Sequence, residues 1–207
     1  MIQPSLDSEV LSQIIQIARL MYDRFLTDAA GGNISTRVGD RIYLTPRYAG
    51  AHYHWRLQPE QVNVLTLEHE VISGPTPISR EGEMHLALYD AFAEAGGIIH
   101  AHAPHLMAFA SAGRPMPPAM EYTEKFGIIG LAAQARSHTP QLAQNVVAYM
   151  NARRAEFSKH ALAALLPGHG VVVMARDLLE AYDTLERLER NAYCLLLQAN
   201  LPPLPGE

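Results

Sequence analysis

The chain has 207 residues, 48% of them hydrophobic and 18% charged, with 14 glycines and 14 prolines, the profile of a single globular domain (1–207) with enough material for a large core. Sixteen basic against 21 acidic residues give a net charge of −5, and no Lys/Arg cluster occurs, so a nucleic-acid partner is excluded and small-molecule chemistry is the class to search. The single cysteine, Cys194, has no internal disulfide partner, no apolar run reaches membrane-spanning length, and Met1–Asp7 has neither a basic start nor an apolar signal core, so the expectation is a cytoplasmic protein with no membrane partner.

From Asp7 or Ser8, apolar residues at Leu11, Ile14, Ile15, Ala18, Met21 and Phe25 form the stripe of an amphipathic helix that Gly31-Gly32 should end. Asn33–Arg37 and Arg41–Thr45, joined by Gly39-Asp40, read as a hairpin. Residues 46–61 lack periodicity and read as a loop, an interface or lid segment bearing Tyr48, Tyr53, His54 and Trp55, before a strand over Val62–Thr66. A second helix is expected over Glu81–Ala95, stopped by Gly96-Gly97. Pro104 can open a short helix to Ala110, and Phe126–Ile129 reads as strand-like. Helix Pro140–Arg154, strand Ala161–Leu166, the turn Pro167–Gly170 and strand Val171–Met174 follow. Asp177 and Glu180 predict a capping box for a last helix of five turns, with a frayed tail over Pro202–Gly206. This order predicts a three-layer α/β/α domain whose sheet includes hairpins and is not purely parallel.

His100 and His102 sit in Gly97-Ile-Ile-His-Ala-His-Ala-Pro104. Alternate residues of a strand point to one face, so both imidazoles leave the backbone in the same direction, with Cα atoms roughly 6–7 Å apart. Two imidazoles so placed can grip a metal ion, and a catalytic site needs a third protein ligand. His169, between two glycines that allow a sharp turn, is a candidate; Gly-His-Gly is otherwise a turn with a solvent-facing histidine. Glu81, near a helix start, is either an acid complementing the helix dipole, worth about 0.3–1 kcal/mol, or a carboxylate of the site. His85 lies four residues on, on the same helix face, and reads as a packing residue rather than a ligand.

These residues resemble the class II aldolase/adducin family, typified by zinc-dependent fuculose-phosphate aldolase and ribulose-phosphate 4-epimerase. The resemblance runs through Gly32–Arg37, Leu44–Pro46, Ser79–Tyr89, Ile98–Pro104 and Gly168–Gly170 with the Asp177–Gln198 helix, and so covers almost the whole chain. It implies an α/β/α sandwich with a central, largely antiparallel sheet, and a homotetramer with active sites between neighbouring subunits. It also implies zinc held by His100, His102 and His169, with Glu81 as the active-site carboxylate that approaches the metal; by ligand type alone Mn, Co and Ni fit equally. The implied chemistry is retro-aldol cleavage of a hydroxylated keto compound with an anionic end, the cation acting as a Lewis acid toward the enediolate and Glu81 handling protons.

Departures from the family pattern bear on the substrate. Where sugar-phosphate members carry Thr-Gly and a second serine, this chain carries Arg47-Tyr48 and Arg80, while Asn33 and Ser79 are kept; the four implied anion-binding positions are thus Asn33, Arg47, Ser79 and Arg80. A guanidinium binds carboxylate or phosphate in a bidentate fashion, or else points to solvent. No C-terminal tyrosine matches the family's usual acid; Tyr122, in Ala119-Met-Glu-Tyr-Thr123, resembles a family tyrosine that lines the site and is the remaining phenolic candidate, or else a packing residue. Alternatives on this scaffold are decarboxylation of a 3-oxo sugar acid, 4-epimerisation, and a non-catalytic adducin-like interaction module.

Overall fold

The structure is a computed structural model describing residues 6–202; the tail expected to fray over Pro202–Gly206 lies, beyond Pro202, outside the described residues. Helix α1 (Leu6–Asp23) buries Val10, Ile14, Ile17, Ala18 and Met21. It ends well before Gly31. Phe25 takes a left-handed φ of 58°, its N–H bonds to the Tyr22 carbonyl, and the Leu26 N–H reaches back to Met21. That is a Schellman closure with a phenylalanine in the place usually held by glycine. It turns Leu26 into the core and leaves Phe25, expected on the apolar stripe, 77% exposed.

Seven strands form one sheet: β1 (Asn33–Val38), β2 (Arg41–Leu44), β3 (Asn63–Thr66), β4 (Val71–Ser73), β5 (Gly97–Ala101), β6 (Leu162–Leu166) and β7 (Gly170–Ala175). Their order is β4-β3-β2-β1-β5-β7-β6, and every neighbouring pair is antiparallel. Side chains alternate between two cores. Ile34, Ile99, Val171 and Val173 pack with α1, α4 (Pro104–Ser111) and α7 (Leu178–Gln198). Ile98, Ala164, Val172 and Met174 face the other way, against α3 (Gly82–Ala91) and α5 (Pro140–Ala152). The three-layer α/β/α sandwich is therefore present, with an antiparallel sheet at its centre.

Several elements depart from the pattern reading. Within 46–61 the chain forms α2 (Ala49–Tyr53) and a 3₁₀ turn over Pro59–Gln61. Trp55 is no surface residue: it is fully buried and donates its indole N–H to the Asp28 carbonyl at 2.8 Å, pinning this segment to the body. Strand β4 escapes a pattern search because its three residues are all exposed. Phe126–Ile129 is not a strand. Phe126 closes a 3₁₀ helix (Glu121–Phe126) and Gly127 takes a positive φ of 60°, so only Ile129 pairs, with Met116. A one-turn helix α6 (Arg154–Phe157) follows α5. Asp177 caps α7 at Glu180 N as expected, whereas the Glu180 carboxylate reaches Arg176 N.

Helix α3 stops at Ala91, short of Ala95, and Gly96-Gly97 serve contact rather than conformation. A Cβ on Gly96 would lie 2.1 Å from the Arg176 carbonyl oxygen, and one on Gly97 2.5 Å from the Asp177 backbone. The clash is with backbone at the entry to α7, which cannot move aside. Gly96→Ala is expected to lower stability by about 2 kcal/mol or more, read as a fall in the urea midpoint with little change in slope.

Candidate active site

One end of the central strands gathers the polar residues. Asn33 opens β1 directly opposite His100 near the end of β5, and His100 in turn pairs with Val172 of β7. His102 lies one residue past the end of β5. The β6–β7 connection presents His169: its N–H bonds to the Leu166 carbonyl at 2.9 Å, with Pro167 and then Gly168 (φ 66°) in between, the pattern of a type II turn. Gly170 has a different task. A Cβ there would lie 2.5 Å from the Ala101 carbonyl and 3.2 Å from the rings of both His100 and His102. Glu81 occupies the N-cap position of α3 but makes no capping bond, and its side chain is buried among the histidines instead.

The rings of His100, His102 and His169 have centroids 4.7–5.6 Å apart. One nitrogen from each lies within 4.8 Å of the others. Second partners fix two tautomers. His100 Nδ1 donates to the Val171 carbonyl at 3.0 Å, and His102 Nδ1 faces Asp28 Oδ1 at 3.3 Å. In each ring the lone pair is thereby left on Nε2, and both Nε2 atoms are buried without a hydrogen-bond donor. A carbonyl or carboxylate behind an imidazole is how metal-ligating histidines are held, and buried lone pairs without partners cost about 1–3 kcal/mol each.

Glu81 completes the arrangement. Its Oε2 lies 2.9 Å from His100 Nε2, and its Oε1 lies 3.3 Å from His169 Nε2 and 3.1 Å from His138 Nδ1. Burial pushes the carboxyl upward, but the close contact with His100 and the positive charge of His100, His169 and His138 outweigh it, holding the group down to about 2. Burial, with the charge of His100, pushes His169 down to about 4, and lowers His102 as well. With the rings neutral, that favourable charge would come instead from a cation held among them. This donor set fits a divalent ion of the zinc class: three converging imidazoles, two of them with lone pairs directed inward, and a carboxylate at the fourth side.

The same residues line a cavity of about 150 Å³ whose other wall holds Asn33, Arg47, Ser79 and Arg80, so all four expected anion-binding residues meet in one space with the histidines. Asn33 Nδ2 donates to Ser79 Oγ at 2.9 Å, while Asn33 Oδ1 and Arg47 Nε are buried without partners. The Arg47 guanidinium stacks 4.7 Å over the Tyr48 ring. His85 is fully buried on α3, bonded through Nδ1 to Ser35 Oγ at 2.7 Å, and Ser35 also meets the Tyr89 hydroxyl. Tyr122 is not in this cavity: it sits in the 3₁₀ helix after Met120, with the Arg187 guanidinium 5.5 Å over its ring.

Two residues at the site have no sequence motif to announce them. Asp28 could have been suspected only from Asp-Ala-Ala-Gly-Gly, where an aspartate readily folds back on the backbone; its Oδ1 accepts from Ala30 N and Gly31 N while facing His102. His138 precedes the Thr139 cap of α5, and its φ of 62° is a conformation no sequence pattern specifies for a histidine.

Comparison with known proteins places the chain. The profile described as Class II Aldolase and Adducin N-terminal domain matches residues 12–196, and the chain belongs to that family. A 3-oxo-tetronate 4-phosphate decarboxylase of Haemophilus influenzae is 32% identical over 191 residues, 86% of this chain and 83% of the relative. An L-fuculose phosphate aldolase of Methanocaldococcus jannaschii is 30% identical over 193 residues, 89% of this chain and 94% of the relative. Among solved structures, an L-fuculose 1-phosphate aldolase superposes with a TM-score of 0.79 at 27% identity, over 95% of this chain and 90% of the other. The L-fuculose-1-phosphate aldolase of Thermus thermophilus gives 0.77 at 25% identity, over 95% and 100%.

Two measurements check this site. A Cβ on Gly31 would stand 2.1 Å from His102 Cε1, so Gly31→Ala is expected to displace that ring and weaken Co²⁺ binding at least tenfold, by calorimetric titration, while the chain stays folded. Burial, then the charge of His100, depresses His85 to about 3 against about 6.5 in an unfolded chain, Glu81 opposing. The unfolded chain therefore takes up the proton first. Stability of the metal-free protein should be full above pH 6.5 and fall as the pH drops toward 3, with a shallower fall in His85→Asn, followed by urea midpoints.

Proposed function

We propose that this chain is a divalent-metal-dependent lyase that cleaves a hydroxylated keto compound carrying an anionic end, such as a sugar phosphate, by retro-aldol chemistry. The observation that carries the reading is the convergence of His100, His102 and His169 beside Glu81, with the buried Nε2 of His102 partnerless and that of His100 facing only the carboxylate. These three histidines would hold the ion, zinc in the first instance and Mn, Co or Ni as alternatives, with Glu81 beside it. When bound, the cation supplies Lewis acidity toward the substrate's carbonyl and neighbouring hydroxyl oxygens.

The chain's own groups do the rest. Glu81, within reach of the cavity and held ionised, takes the hydroxyl proton as the C–C bond breaks and can return it to the carbon that gained the electron pair. The Val171 carbonyl and Asp28 keep the rings of His100 and His102 from rotating, so the reacting end of the substrate meets fixed donors. Arg47, with a buried N–H lacking a partner, binds the anionic end together with Asn33, Ser79 and Arg80. Tyr122, outside the cavity of its own chain, would face a neighbouring subunit's site in a homotetramer and bind the substrate's oxygens there as a phenolic hydrogen-bond donor. A cytoplasmic, single-domain enzyme of carbohydrate metabolism is the corresponding cellular picture.

A second reading has its own support. Two arginines at the cavity and a relative named for decarboxylation favour loss of CO₂ from a 3-oxo acid phosphate, through the same arrangement. A panel of L-fuculose 1-phosphate, 5-deoxy-D-ribulose 1-phosphate and 3-oxo-tetronate 4-phosphate separates them: an aldehyde product supports the aldolase, and CO₂ without aldehyde the decarboxylase. Glu81→Gln is expected to keep at least two-thirds of the bound metal yet lose about 10²–10⁴-fold in kcat; full activity would remove Glu81 from the chemistry. Arg47→Leu should raise KM tenfold or more with kcat changed less than threefold, because it removes an interaction made before and during the reaction alike.

A further inference from the structure

A fourth imidazole reaches Glu81 from outside the ligand set. His138 comes from the segment between the isolated bridges after Gly127 and helix α5, not from any of the strands that carry His100 and His169. Its Nδ1 is 3.1 Å from Glu81 Oε1, it lines the cavity, and its side chain is about 35% exposed while the carboxylate is nearly buried. His138 therefore sits at the mouth, with Glu81 between it and His100.

The backbone conformation is the informative part. At φ 62° a residue with a side chain carries a strain of about 1 kcal/mol that glycine does not, and such positions gather at functional sites where the surroundings over-determine them. The surroundings here are the cap of α5. Thr139 Oγ1 donates to the Arg136 carbonyl at 2.6 Å and accepts from Leu142 N at 3.3 Å, and Pro140 opens the helix, so the chain enters α5 along one path. Glycine or asparagine would satisfy that path at least as well as histidine. Here the residue is a histidine, and its ring meets the carboxylate.

We propose that His138 is a positioning residue for Glu81, its ring bearing on Oε1 from the cavity side while His100 bears on Oε2, so that the carboxylate keeps one orientation toward the substrate. The role rests on the reading of Glu81 as the proton-handling group, and it distinguishes His138 from the three histidines as a residue that acts on the carboxylate and not on the metal.

The experiment uses His138→Gly and His138→Asn, both suited to the backbone, alone and combined with Glu81→Gln. In the metal-free protein, His138→Gly should unfold at a urea midpoint no lower than that of the wild type. The midpoint shifts of His138→Gly and Glu81→Gln should be non-additive in the double variant, as for groups in contact; additive shifts would overturn the proposal without any assay of activity. Co²⁺ affinity of His138→Gly should change less than threefold, and a hundredfold loss would instead make His138 a ligand. With the panel substrate that is turned over, kcat should fall tenfold or more at a KM within threefold, and His138→Asn should recover at least a third of it. Wild-type kcat in His138→Gly, with Glu81→Gln inactive, would reject the positioning role and leave the reading of Glu81 intact. Full activity in Glu81→Gln would reject both.

Discussion

A buried carboxylate surrounded by imidazole nitrogens is the constraint on which the rest of this structure turns. Glu81 lies almost wholly out of water with nitrogens of three rings within 3.3 Å, and two imidazole lone pairs there have no protein donor. Such a group of atoms is unfavourable as a set of neutral and negative species. It becomes favourable when positive charge is shared among them. The residues behind the rings are part of the same arrangement, because a Val171 carbonyl and an Asp28 carboxylate decide which nitrogen of His100 and of His102 is available. Asp28 in turn is fixed twice, by the Asx turn over Ala30 and Gly31 and by the indole of Trp55 on its carbonyl.

The sheet converts this requirement into a folding problem. An all-antiparallel order puts the start of β1, the end of β5 and the β6–β7 turn side by side, though they are distant in sequence. Hydrophobic alternation then sets the faces, with Ile98 and Val172 in one core and Ile99 and Val171 in the other, so that His100 emerges on the side toward α3, where Glu81 waits. The site's neighbourhood in the chain's own packing explains its small residues: Gly31 lies against His102, and Gly170 lies against both rings.

How much of this can be read from residues alone depends on the length scale of the signal. The His-x-His spacing, the hairpin glycine at Gly39 and the long α7 stripe are local patterns with a fixed period, and they appear where the pattern puts them. Elements set by tertiary contact were hidden. Phe25 ends α1 in a left-handed closure because Leu26 has a place in the core, Gly96-Gly97 are small because α7 begins against them, and Phe126–Ile129 is broken at Gly127 despite its apolar composition. Among site residues, Asn33, Ser79, Glu81 and the three histidines lie in motifs, and Arg47 and Arg80 show as departures from them. Asp28 and His138 do not, since each is brought in by a turn whose geometry, not its composition, aims the side chain. Tyr122 illustrates the remaining gap, because a single chain holds it apart from the cavity.

The pairing of Asn33 with His100 has an evolutionary corollary. Inserting or deleting one amino acid within β5 would send the imidazole to the wrong core, and within β1 it would do the same to the Asn33 amide, so these two strands tolerate exchange of letters but not change of length. The opposite end of the sheet carries no such burden: the tight connections over Gly39-Asp40 and between Thr66 and Val71 point away from every ligand-bearing residue. New segments, reporter tags or tethered modules would be accommodated there, and divergence among descendants of this scaffold should accumulate at that rim while the other stays constant in length.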